Sequence, residues 1–296
     1  MAAPAARLRD LLFREITSMR HAVPGEAPSR KFPIVAILIF ETAALIVRSF
    51  WQVELRESGY ETNLAEDISY LIVPPILAIL FIPLLRVHGK WLLHKFALAG
   101  LTWRVVFIGA ALGITLRLGF WGGLIAGGSF GLLTNDSPNA VVGPTLSWDC
   151  PPRAQILLAI AMSVVTIPVI EEVINRGFLL EGLKSRGRLV AIVGSSALFA
   201  VFHNPQAILL AFCVGIFLAT ATLNSGTLWI STIGHASCNL VAFLDWRCMR
   251  GQWNPTDVTP VSMGIGAMAT GLLIVCLALA ALLVSRQIIG ARMLPR

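Results

Sequence analysis

Charged residues are scarce in this chain. They make up 13% of its 296 residues, whereas about a quarter is usual for a soluble domain. Hydrophobic residues reach 56%, so the composition excludes an ordinary water-soluble domain and predicts a polytopic membrane protein. The sequence also lacks P-loop, zinc-ribbon and RNA-binding signatures. We therefore attribute the net charge of +7 to basic cytoplasmic loops, and we predict no nucleic-acid partner.

Cysteine is also sparse, with five residues and no CxxC pair, so no thiolate metal site is predicted. Cys150 and Cys248 fall in two loops that we assign to the outside of the membrane. In an oxidising compartment they could form a disulfide bond. Two unpaired cysteines remain the open alternative.

The first 32 residues do not have the pattern of a cleavable signal peptide. They are charged and contain Pro24 and Pro28. The first apolar run, which comes after them, is not followed by a small-residue cleavage site. Two readings stay open for this segment: a helix lying on an anionic membrane surface, or a disordered basic tail.

Eight apolar runs approach the length that a membrane span requires, roughly 20 residues. They cover about 33–51, 69–86, 101–127, 156–182, 188–203, 206–222, 227–245 and 262–284. The predicted fold class is an all-α polytopic bundle of about eight transmembrane helices. The predicted organisation is a basic segment (1–32), a transmembrane domain (33–285) with its functional core at about 155–245, and a basic tail (286–296).

Lysine and arginine are distributed unequally between the two sides of this topology. With eight spans, 16 of them fall on the side of the termini and five on the other. Because cytoplasmic loops are enriched in these residues, both termini are predicted to be cytoplasmic. We expect a multi-pass protein of a cell membrane, such as the bacterial inner membrane.

Several ionisable and amide residues nevertheless lie inside the spans, where they are costly and are by default a functional hypothesis. These are Glu171, Glu172 and Arg176 on the fourth span, His203 at the end of the fifth, and His235 and Asn239 on the seventh. At about 1.5 Å per residue, Glu171, His203 and Asn239 all lie roughly 20–24 Å from the cytoplasmic ends of their helices. The sequence thus predicts one polar cluster in the outer half of the membrane. Glu41 on the first span and Arg117 on the third receive no role.

The spacing within these motifs suggests how the cluster is organised. Glu172 and Arg176 are four residues apart and can form an ion pair on one helix face. Glu171 points about 100° away and can meet another partner. Phe199 lies one turn before His203 and can shield its ring.

A carboxylate and an imidazole can together deprotonate water, and a second histidine with an amide can stabilise an oxyanion. The predicted chemistry is therefore amide hydrolysis in a cavity within the membrane.

The three motifs resemble those of the CPBP intramembrane proteases, a family that includes the CAAX prenyl endopeptidase and bacterial Abi-type proteins. They read Glu171-Glu172-x-x-x-Arg176, Phe199-x-x-x-His203 and His235-x-x-x-Asn239. The resemblance implies an eight-helix fold and endopeptidase activity. It implies Glu171 as the water-activating base assisted by His203, His235 and Asn239 as transition-state stabilisers, and Glu172, Arg176 and Phe199 as supporting residues.

The role of metal stays open at this point. Zinc could be held by Glu171, His203 and His235, but there is no HExxH helix, and the ligands would come from three separate helices. We favour a metal-free glutamate mechanism and assign no cofactor.

The predicted depth of the site bears on its substrate. A site near the outer face suits the membrane-embedded tail of an exported protein better than a prenylated cytosolic protein. In this respect the chain is similar to the bacterial sorting-type members of the family. The predicted partners are membrane lipid and a membrane-anchored protein substrate.

Two other classes of function compete with this prediction. A non-proteolytic scaffold or immunity protein would keep the fold but would not need such costly polar groups. A transporter would usually show repeats or a polar path through several helices, and neither is evident in the sequence.

Overall fold

The computed structural model describes residues 33–129, 146–148, 150–203, 207–244, 248–251 and 263–291. The predicted basic segment 1–32, the end of the basic tail and most of the two cysteine-bearing loops lie outside these residues.

The described chain is dominated by long helices. They are α1 (Ile34–Glu57), α2 (Thr62–Ser69), α3 (Val73–Lys95), α4 (Trp103–Ser129), α5 (the helical run Arg153–Arg186), α6 (Arg188–Val201), α7 (Ile208–Ser225), α8 (Trp229–Phe243) and α9 (Met263–Ala291). Among the described residues, six helices are long and apolar enough to cross a membrane, namely α1, α3, α4, α5, α7 and α9. The helices α6 and α8 are shorter, with 14 and 15 residues. The prediction of an all-α polytopic bundle is confirmed.

Two short strands accompany the helices at one end of the bundle. Strand β1 (Leu146–Trp148) precedes α5, and strand β2 (Met249–Gly251) follows α8. They pair in antiparallel fashion. Beside them, Cys150 and Cys248 form a disulfide bond. The alternative that the sequence left open is thereby decided, and the start of α5 is covalently tied to the end of α8.

Helix α5 differs from the uninterrupted span that the sequence predicts. Two of its segments, Ile160–Thr166 and Val173–Leu179, are π-helical. A π segment inserts extra backbone into the helical turn and is frequent at functional sites. The second segment begins directly after Glu172, so the helix changes its winding at the carboxylate pair.

Glycines allow α4 to approach α8 and α9 very closely. A Cβ atom added to Gly113 would overlap the backbone of Gly234 on α8. A Cβ atom on Gly122 would lie 2.8 Å from the carbonyl oxygen of Ala269 on α9. The glycines therefore serve helix packing, as expected between membrane helices, and they fix α8 at the position from which His235 projects.

An apolar core joins α1, α3 and the second half of α5. Phe81 of α3 lies between Phe40 of α1 and Phe178 of α5, with ring centroids 5.7 Å from each. Ile37 and Ile174 belong to the same buried cluster. This packing holds α1 against the helix that carries the carboxylate pair.

Candidate active site

Glu172 lies at the centre of the polar cluster. Its side chain is fully buried, and its Oε2 atom lies 3.4 Å from Nε of Arg176, which is also buried. Its Oε1 atom lies 3.0 Å from Nδ1 of His235 on α8. Arg176 in turn donates a hydrogen bond from Nη2 to the carbonyl oxygen of Gly215 on α7, at 3.4 Å. The ion pair expected from the spacing is therefore present, and it links three helices.

Glu171 occupies a different environment from its neighbour. Its side chain is 28% exposed, and its Oε2 atom lies 3.6 Å from Nε2 of His235. The two nitrogens of the His235 ring thus face two different carboxylates, one buried and one accessible. Because Glu172 is buried between Arg176 and His235, Glu171 is the member of the pair that can meet water or substrate.

Phe199 provides a common surface for three polar side chains. Its ring centroid lies 4.4 Å from that of His203 and 5.5 Å from that of His235. The guanidinium carbon of Arg176 lies 4.5 Å from the same centroid, within the range of a cation–π contact. Phe199 thus packs against His203, as the spacing predicted, and it also packs against His235.

The His203 ring, just beyond the end of α6, is oriented by the backbone of that helix. Its Nδ1 atom lies 2.8 Å from the carbonyl oxygen of Phe199. A carbonyl oxygen can only accept, so Nδ1 carries the proton in the neutral ring. This tautomer leaves Nε2 as a proton acceptor.

Asn239 lies one turn beyond His235 on α8. Its Nδ2 atom donates a hydrogen bond to the carbonyl oxygen of Ser163, at 2.8 Å. Ser163 lies in the first π segment of α5. The amide is therefore anchored to α5, and its second N–H is available for another acceptor. The sequence did not predict this partner, since Ser163 has no motif to identify it.

Glu41, which the sequence left without a role, shares a cavity with Glu171. Glu41 of α1 and Tyr70, in the turn before α3, line a small cavity of about 30 Å³ together with Glu171. The sequence feature that could have identified Glu41 is its position as an ionisable residue in the middle of the first span. Arg117, the other unassigned residue, is buried on α4 with its guanidinium 5.1 Å from the ring centroid of Phe120.

The geometry of the described residues does not fit a zinc site. No three His, Cys, Asp or Glu side chains of the described chain are arranged to hold a metal ion. Of the three ligands considered above, His235 directs both ring nitrogens at carboxylates. We therefore derive no step through a metal.

The arrangement has the parts that hydrolysis of an amide requires. An accessible carboxylate beside an imidazole can take a proton from water. The second Nδ2–H of Asn239, or an Nε2–H of His235, can stabilise a developing oxyanion. Glu172, itself paired with Arg176, holds the His235 ring in place by accepting a hydrogen bond from its Nδ1 atom.

Comparison with known protein families places part of the chain. Residues 153–241 match the family model described as Type II CAAX prenyl endopeptidase Rce1-like. The matched segment begins with α5 and ends near the end of α8, so it contains all seven residues that carry the three motifs. No curated protein and no solved structure matches the chain.

Proposed function

We propose a function for the whole chain from the match of residues 153–241 to the family model described as Type II CAAX prenyl endopeptidase Rce1-like. It is a multi-pass membrane endopeptidase of the CAAX type. It hydrolyses a peptide bond near the membrane-associated C-terminus of a protein substrate. The water is activated by Glu171 with the help of His203.

The difference in exposure between the two adjacent carboxylates is the observation that carries this proposal. Glu171 is 28% exposed and Glu172 is fully buried. Glu171 takes a proton from water while the acceptor Nε2 of His203 helps to orient that water. The resulting hydroxide attacks the carbonyl carbon, and N–H groups of His235 and Asn239 stabilise the oxyanion. Glu172 and Arg176 keep His235 oriented, and Phe199 packs against both histidines.

The membrane topology of the chain is part of the proposal. Both termini lie in the cytoplasm, and the end of the bundle that carries the Cys150–Cys248 disulfide faces the outside. The basic bias of 16 residues to five and the preference of disulfides for oxidising compartments support the same orientation. Residues 33–285 form the transmembrane domain, whose lipid-facing surface includes the exposed side chains of Phe50 and Leu209.

We expect thiol labelling of intact cells to establish this orientation. After mild reduction, a membrane-impermeant maleimide should label the partly exposed Cys150 and should not label a cysteine introduced at Ser185, in the last turn of α5. The opposite orientation would be indicated if Cys150 were labelled only after permeabilisation. It would also be indicated if the cysteine introduced at Ser185 were labelled in intact cells.

The depth of the site favours one class of substrate. Glu171 lies 13 residues before Lys184, about 20 Å along the helix from its cytoplasmic end. A bond in the C-terminal membrane anchor of an exported protein would reach this level from the outer leaflet. A prenylated cytosolic C-terminus would have to cross more than half of the hydrocarbon core, which is about 30 Å thick.

Cleavage by purified protein in lipid vesicles tests the proposed function. We expect cleavage of C-terminal anchor peptides to persist in the presence of a chelator and to disappear in Glu171→Ala. Loss of cleavage with the chelator and its return with zinc would replace the glutamate mechanism with a metal-dependent one. Folded protein that cleaves neither anchor peptides nor prenylated peptides would indicate a scaffold.

A further inference from the structure

Glu41 is a buried carboxyl group that the proposed mechanism does not use. It lies on α1 with 6% of its surface exposed, in a helix whose composition suits the membrane. Its Oε2 atom has no hydrogen-bond partner among the described residues. Buried polar atoms are nearly always paired, and an ionisable residue at membrane depth is expensive. Such a side chain therefore points to a function.

The cavity beside Glu41 connects it to the proposed base. Glu41, Glu171 and Tyr70 are its polar or ionisable lining residues, and the remaining lining side chains of α1, α3 and α5 are apolar. A volume of about 30 Å³ is enough for a water molecule. Glu171 thus has His235 on one side, 3.6 Å away, and shares a water-sized space with a second carboxyl group on the other.

The cations nearest to this cavity are engaged elsewhere. Arg176 acts electrostatically on Glu41, but its guanidinium is paired with Glu172 at 3.4 Å. Arg48, seven residues after Glu41 on α1, pairs with Glu66 of α2 at 3.6 Å. Neither cation is dedicated to Glu41.

The other elements around the cavity add few titratable groups. Arg48 lies over the Tyr70 ring, 3.7 Å from its centroid. Asp67 of α2 acts electrostatically on Tyr70, and α3 contributes only Val73 and Leu77. The titratable pair that dominates the cavity is therefore Glu41 and Glu171.

We propose that Glu41 is a second catalytic carboxyl group, which protonates the leaving amine while Glu171 acts as the base. This inference rests on the proposed endopeptidase function. Two carboxyl groups around one small cavity differ in protonation when their environments differ. Glu41, among apolar side chains, is placed as the proton donor, and Glu171, beside His235, is placed as the proton acceptor.

The proton transfers of this mechanism balance. Glu171 removes one proton from water as the oxygen bonds to the carbonyl carbon. The C–N bond then breaks, and the nitrogen takes the proton of the Glu41 carboxyl group. Glu171 is left protonated and Glu41 ionised, and transfer of one proton from Glu171 to Glu41 restores the starting state.

The test compares Glu41→Gln with wild-type protein in lipid vesicles, using a peptide substrate between pH 5 and 9. Glutamine keeps the shape and the hydrogen-bonding capacity of Glu41 but cannot release a proton. We expect kcat to fall at least about 10²-fold, as is typical for loss of a general acid, with KM within about twofold. We also expect the decline of kcat at alkaline pH to disappear. Glu54→Gln, at an exposed position of the same helix, is the matched control and should leave kcat unchanged.

A second substrate separates acid catalysis from a structural role. An activated aryl ester at the scissile position has a leaving group that departs without a proton. Glu41→Gln should cleave this ester within about fivefold of wild type if Glu41 acts as the acid. Glu41→Asp retains a carboxyl group and should recover part of the peptidase activity. This variant therefore tests the role of the carboxyl group even if the glutamine variant folds poorly.

The outcomes distinguish this inference from the proposed function. Active wild type together with an inactive Glu171→Ala keeps the proposed function. In that situation a Glu41→Gln variant with wild-type kcat and pH profile overturns the role of Glu41 alone. An equal loss on peptide and aryl ester also overturns it, since the defect would then be independent of the leaving group. Wild-type protein without activity on either substrate overturns both.

Discussion

Replacing Glu171 with glutamine is expected to lower kcat by about 10³-fold, within the range for loss of a general base. Glutamine has nearly the same shape but cannot accept the proton of the attacking water. The neighbouring pair of Glu172 and Arg176 is untouched by this change, so the variant should unfold at the wild-type temperature. We expect substrate binding within about twofold of wild type, measured with a fluorescent anchor peptide in lipid vesicles.

Glu181 offers a matched control on the same helix. It pairs with Lys184 at 2.9 Å near the end of α5, and both side chains are partly exposed. Glu181→Gln should therefore keep its activity. If Glu171→Gln retained more than about a tenth of the wild-type kcat, the base would have to be another residue and the proposed role of Glu171 would be wrong.

Replacing Arg176 with methionine is expected to destabilise the fold by about 3–5 kcal/mol, the usual effect of removing one partner of a buried ion pair. The change leaves the fully buried Glu172 carboxylate without its cation and also removes the contact with the Phe199 ring. Thermal unfolding in lipid or detergent, together with denaturant titration, measures the loss. Activity should fall as well, because His235 is held by the same carboxylate.

Two further variants separate the charge effect from the loss of a large side chain. In the double variant Glu172→Gln with Arg176→Met no unpaired charge remains, so much of the stability should return. Lys184→Met removes the cation of a partly exposed pair and should cost less than about 1 kcal/mol. A loss below about 1 kcal/mol for Arg176→Met alone would show that the pair is not a structural support of the site.

Local patterns carried much of the sequence-based prediction. The eight apolar runs predicted the helices, because a membrane span must satisfy its backbone hydrogen bonds internally and so depends on its own residues. The distance between Glu172 and Arg176 follows from helical spacing along one segment. The family resemblance was also read from three short motifs, and the match over residues 153–241 confirms it.

Features that depend on contact between two separate segments could not be predicted from these local patterns. The pairing of Cys150 with Cys248 stayed open because proximity of two loops cannot be read from either one. The hydrogen bond from Asn239 to Ser163 involves the π segment of α5, and no pattern of residues predicted that segment. Glu41 received no role because its importance depends on how α1 packs against α5.

The sequence by itself determined that this protein is a helical membrane protein and which side chains are too costly to lie in a membrane without purpose, since both depend on the transfer of individual residues from water to lipid. Helical spacing already paired Glu172 with Arg176, but tertiary structure alone decided that this pair is buried against His235 and that Glu171 remains accessible beside Glu41. Two adjacent glutamates differ by nothing in the local sequence that predicts their exposure, and only the packing of α1, α7 and α8 around α5 makes them different.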